Sequence, residues 1–182
     1  MGIPSDKLIA QLKRQEGFYA KPYLCTENAC TIGYGTNLDS HPKYIPYPDI
    51  RRMVCIGQLR GTDLKAVLLR KGMEWTREEA AIAMLEEVKS CIPELVQRCP
   101  QYVKLESMGD IPRAEVLLNM AFNMGVPNLV GFRNTLAMLD DAIRGNGTFA
   151  AVGRGMLNSK WARQVKGRAR ELAKQMETGR YQ

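Results

Sequence analysis

Arg14-Gln15-Glu16-Gly17-Phe18, and after it Cys25-Thr26-Glu27-Asn28-Ala29-Cys30-Thr31-Ile32-Gly33-Tyr34-Gly35, is the stretch on which the reading of this chain turns. Upstream of it, Pro4 and Ser5 open a helical segment, since proline tolerates a helix start and serine supplies the cap. Leu8, Ile9 and Leu12 follow at helical spacing. Glu16 comes four residues after Leu12, so it extends the apolar stripe rather than the solvent side. Gly17 is a natural helix stop. Beyond it the helical period ends, and Tyr19, Pro22, Tyr23, Asn28, Gly33 and Gly35 predict short strands with tight turns. Thr31 and Gly33 share one side of a strand. The order is therefore a carboxylic acid at a helix end, a thiol, and a hydroxyl just ahead of a Gly-aromatic-Gly turn. The acid can give a proton to a leaving oxygen, and the two later groups can hold or activate a water. That is the least equipment that glycoside hydrolysis needs.

The second half of the chain carries further motifs. Arg113 to Met124, closing on Gly125, is apolar nearly all round from Ala114 and predicts the buried helix of a bundle. Gly131-Phe132-Arg133-Asn134-Thr135-Leu136 reads as a turn into a helix, and Ser159-Lys160-Trp161 is followed by Gly167-Arg168-Ala169-Arg170. Thr76 with Glu79 is a capping box. Ala80, Ala83, Met84, Val88 and Cys91 then make an amphipathic stripe, a long helix that either ends near Ile92-Pro93 or runs on past the proline. Leu136–Ile143, Phe149–Leu157 and Arg168–Met176 predict further helices.

Taken together these motifs resemble the phage-type lysozymes, the endolysin family. Glu16, eight residues, Cys25, five residues, Thr31 and the Ile32-Gly33-Tyr34-Gly35 turn match the family spacing without a gap. The resemblance runs from about Leu8 to the C-terminus and is weak between Asn37 and Glu74. It implies an α+β, mostly helical fold. A small N-terminal lobe (about 14–75) with a short antiparallel sheet would be joined by a long helix (about 76–98) to a larger helical lobe (about 99–182), on which helix 5–16 packs. It also implies an N-acetylmuramidase that cuts the β-1,4 bond between N-acetylmuramic acid and N-acetylglucosamine, without metal or cofactor.

By the same resemblance Glu16 is the general acid, Arg168 pairs with it and orients it, and Thr31 holds the attacking water. Cys25 occupies a position where many members carry aspartate. It serves as a weak acceptor, or as a base when ionised; a disulfide to Cys30 would consume the thiol. Glu27 and Lys160 fall at acidic and basic positions of the cleft mouth, Asn123 at a cleft amide, and Phe132 either lines the sugar groove or belongs to the core, the core being the preferred reading. The family is linked to inversion, which places the acid and the water-activating groups roughly 6.5–9.5 Å apart.

Composition bounds the alternatives. The chain has 182 residues with 26 Lys+Arg against 19 Asp+Glu, a net +7. A basic surface suits polyanionic cell walls and equally suits nucleic acid, but no nucleic-acid motif is present. No long apolar run and no leader pattern are seen. The expected route is synthesis in the host cytoplasm and release through a membrane lesion made by another protein, without stable membrane insertion, as a monomer. Five cysteines and one histidine show no metal-ligand spacing, so no zinc site is expected. His41, in a Pro-rich loop, belongs to no base–nucleophile pair. Residues 37–74 exceed what the family needs and either cap the small lobe or extend the groove; capping is the preferred reading. A lytic transglycosylase, which needs only the glutamate, and a non-catalytic wall-binding protein are the rival functions.

Overall fold

The computed structural model describes residues 2–182 and is α+β, mostly helical: eleven α-helices and one three-stranded sheet among those residues. Two compact units divide the chain.

The smaller unit, Ala10–Glu86, holds the end of helix α1 (Asp6–Glu16), strands β1 (Tyr19–Leu24), β2 (Cys30–Gly33) and β3 (Thr36–Asn37), helices α2 (Pro48–Cys55) and α3 (Gly61–Arg70), and the start of α4 (Arg77–Arg98). The strands pair antiparallel in chain order, with Tyr23 opposite Thr31, Leu24 opposite Cys30, and Thr31 opposite Asn37. The core of this unit is built largely from the stretch the family resemblance leaves over. Leu38, Ile45, Ile50, Val54, Leu59, Leu64, Leu68 and Met73 pack with Cys30 and Ile32 of β2. Residues 37–74 therefore cap the sheet, because a two-sided ribbon this short needs an apolar cover to be stable. Asp39 fastens the cover. Its carboxylate accepts from Cys30 N at 3.1 Å and from Gly61 N at 3.0 and 3.2 Å, at the positive end of α3. Gly61 has φ +48°, and a β-carbon there would stand 2.6 Å from the Asn28 carbonyl oxygen, so only glycine lets α3 approach the turn between β1 and β2.

The larger unit comprises the chain up to Ile9 and Glu87–Gln182. After the second half of α4 come α5 (Pro100–Ser107), α6 (Ile111–Met124), α7 (Val126–Val130), α8 (Arg133–Ile143), α9 (Phe149–Leu157), α10 (Lys160–Val165) and α11 (Gly167–Thr178). α6 lies at the centre, with Ala114 through Ala121 buried without a break. Side chains cap several helices. Asp110 accepts from Arg113 N, Thr148 from Ala151 N, and Ser159 from Ala162 N. The Thr76–Glu79 box forms in both directions, at 2.8 and 3.2 Å. α4 does not stop at Pro93 but continues to Arg98. Gly153 lets α9 meet α11 closely, since a β-carbon there would lie 2.9 Å from Ala173 O. Both ends of this unit reach Glu115 of α6, which is 4% exposed: Ser5 donates to it through N and Oγ, each at 2.7 Å, and the Tyr181 hydroxyl donates to it as well.

Candidate active site

In the smaller unit the sequence places Glu16 at the last turn of α1, and Gly17, at φ +71°, ends the helix there. The Glu16 carboxylate then lies against the Gly-Tyr-Gly turn. A β-carbon on Gly35 (φ +94°) would be 3.6 Å from Glu16 Oε2. That distance is ordinary van der Waals contact, so it is the positive φ rather than crowding that favours glycine here.

Cys25 and Thr31 flank the turn that joins β1 to β2. One carbonyl holds both. Ala29 O accepts the Cys25 N–H at 3.0 Å and the Thr31 hydroxyl at 3.1 Å. Asn28 in the same turn adopts φ +59°, a left-handed conformation asparagine tolerates. Thr31 is 3% exposed, whereas Cys25 is half-buried. Because the Thr31 proton is committed to Ala29, the hydroxyl meets any further partner as an acceptor. Glu27 sits exposed at the tip of the turn.

All five cysteines are free thiols, so Cys25 is not consumed by Cys30. Cys30 is fully buried, and burial, reinforced by Asp39 and opposed by Lys65, pushes its thiol up to about 12. Tyr23, opposite Thr31 in the ladder, was not predicted as a site residue. Burial, then Tyr19, Glu16 and Cys25, push its hydroxyl above the ordinary phenol range, which puts it in the electrostatic reach of both groups. The only sequence signal was its position in the strand eight residues ahead of Thr31.

In the larger unit Arg168, at the start of α11, donates from Nε and Nη2 to Asn119 Oδ1 at 3.0 and 2.9 Å. Asn119 is fully buried in α6, and a buried amide needs a partner, here the guanidinium of Arg168. Asn123 accepts the Trp161 indole N–H at 2.8 Å, which leaves its NH2 for a ligand. Phe132 is half-buried and meets Trp161 edge-on at 6.2 Å. These two rings, with Arg133, Asn158 and Lys160, line an open cleft of about 490 Å³. Phe132 thus faces a groove rather than lying wholly in the core. Among the described residues no cluster of His, Cys, Asp and Glu is arranged to hold a metal ion, and no helix is long and apolar enough to cross a membrane.

Compared with known families, residues 13–174 match the Phage lysozyme family, a span that takes in Glu16, Cys25, Thr31 and every residue of the cleft just described. The chain belongs to the phage lysozyme family. Its activity is accordingly that of a lysozyme-type glycosidase acting on the bacterial cell wall, with peptidoglycan as the substrate. A search of curated proteins gives no match.

Proposed function

We propose that this phage lysozyme is an inverting N-acetylmuramidase. It hydrolyses the β-1,4 bond between N-acetylmuramic acid and N-acetylglucosamine in peptidoglycan and so lyses the host cell. The observation that carries this reading is the chemistry of the Thr31 hydroxyl. With its proton tied to Ala29 O, it accepts a hydrogen bond from a water and turns that water's lone pair outward, which a hydrolase needs and a transglycosylase does not. Glu16 protonates the departing glycosidic oxygen. The water attacks the anomeric carbon from the opposite face and loses its proton to the Cys25 sulfur, for which the thiolate is the base form. Arg168, fixed by Asn119, serves as the support that orients the acid. Glu27, Asn123, Phe132 and Lys160 bind the glycan. The enzyme works as a monomer at the wall, reaching it through a lesion made by a separate membrane protein.

Mass spectrometry of digested, purified peptidoglycan tests the proposal. Products carrying one added water, with α configuration at the new reducing end, are expected. Products with anhydro ends would assign a lytic transglycosylase instead. Equal clearing of cell walls by the wild type and Glu16→Gln would remove the catalytic reading altogether.

A further inference from the structure

Residues 37–74 cover the sheet, yet their flank carries a cavity that a cover does not need. Tyr44, Tyr47 and Trp75, each half-buried, surround a pocket of about 280 Å³ together with Glu74 and Glu79. Its rings are held from behind. The Tyr44 hydroxyl donates to Glu86 Oε2 at 2.9 Å and the Tyr47 hydroxyl to Lys71 O at 3.0 Å. Tyr44 and Trp75 meet at 85°, with centroids 5.8 Å apart, and so form a rigid corner. The phenols are already bonded, so what the corner offers is ring face.

The chemistry of the walls selects the occupant. Flat ring faces suit a ligand with C–H faces. Glu74 and Glu79 accept hydrogen bonds and donate none, so they suit a ligand rich in donors and repel an anion. One oxygen of Glu79 is taken by Thr76 N, and Glu74 is exposed. A cation is disfavoured too, because Lys43 and Lys71 already set ammonium groups 4.6 and 5.7 Å from the Tyr44 and Tyr47 rings. A neutral, hydroxyl-bearing pyranose meets all of these conditions. The pocket's corner also adjoins the catalytic hairpin. Trp75 N donates to Ala20 O of β1 at 2.9 Å, and the Trp75 ring fills the space where a β-carbon on Gly33 would stand, 2.9 Å away.

We propose that this pocket is a second glycan subsite, which takes one neutral N-acetylhexosamine ring of a strand outside the pair of sugars being cleaved. The proposal rests on the muramidase reading for its choice of glycan. The full chain carrying Glu16→Gln, labelled with fluorotryptophan, tests it by fluorine NMR, since its two tryptophans report separately. Titration with chitotetraose should shift the Trp75 resonance saturably. Glu74→Arg, at an exposed position, and Tyr47→Leu should each weaken that response at least tenfold while circular dichroism stays unchanged. Choline chloride should leave the Trp75 resonance in place. A Trp75 signal indifferent to the sugar, or one that responds equally in Glu74→Arg, overturns the subsite. A stronger response to choline than to the sugar overturns it in favour of an ammonium site. Reducing-end release by the unmutated enzyme is measured separately, so hydrolysis can stand while the subsite falls, and the reverse.

Discussion

Thr31 commits its proton to Ala29 before any water arrives, and that carbonyl also carries the Cys25 amide. Thr31→Val keeps the volume and removes the hydroxyl, both the acceptor for the water and the donor to Ala29 O. Stability should change by no more than about 1 kcal/mol, because the carbonyl retains its other donor. Release of reducing ends should fall roughly 100-fold, within the usual range for a group that positions a proton transfer. Denaturation curves and a reducing-sugar assay on one preparation separate the two effects. The thiol is the sharper case. If Cys25 takes the water's proton, Cys25→Ser should lose activity and Cys25→Asp should regain it; an active serine variant would leave the thiol only a packing role. Glu16, Cys25 and Thr31 could be put forward as candidates from the sequence because their spacing is local. Tyr23 and Asn119 could not, because their meaning lies in what other elements bring near them: the first in Glu16 and Cys25, the second in the guanidinium of Arg168.

Among the elements, α3 depends on Asp39 as much as on its own residues. The carboxylate closes the N-terminus of that helix and at the same time holds Cys30 N of β2. Asp39→Ala leaves both donors short of a partner and should cost about 2–3 kcal/mol; a urea midpoint that barely moves would show that water replaces it. The Thr76–Glu79 box was readable from four residues, since a cap is a purely local device. α8, α9 and α11 were readable for a similar reason, their apolar period, whereas the six-residue α10 was not. Nor was the work of residues 37–74. Whether that stretch covers a sheet or widens a groove depends on partners distant in sequence, here Cys30 and Ile32. Whether α4 passes Pro93 was equally open to the sequence; the helix runs on to Arg98, with Leu95 buried beyond the proline.

At the scale of the whole molecule, the net charge of +7 should make wall lysis sensitive to salt. Raising ionic strength shortens the range of attraction to an anionic wall. The clearing rate should therefore drop with added sodium chloride, while cleavage of a short neutral glycan changes little. Alkali should act on stability. Cys30 prefers its neutral form when folded, with a thiol value near 12 against an ordinary 9.0. The stability this supplies is intact below pH 9 and is lost as pH climbs toward 12. Tyr23, Tyr44, Tyr102 and Tyr181, all raised mainly by burial, add to the same loss above about pH 10. Urea titrations from pH 8 to 11 should show falling midpoints, and Cys30→Ala should flatten the fall even though it lowers the starting value. The five thiols differ in access: Cys30 and Cys99 are sealed, Cys25 and Cys91 half-covered, and Cys55 lies open on α2. A maleimide dye added briefly should therefore tag Cys55 first, offering a spectroscopic handle, and the same exposure makes air-handled stocks prone to crosslinked pairs joined through α2.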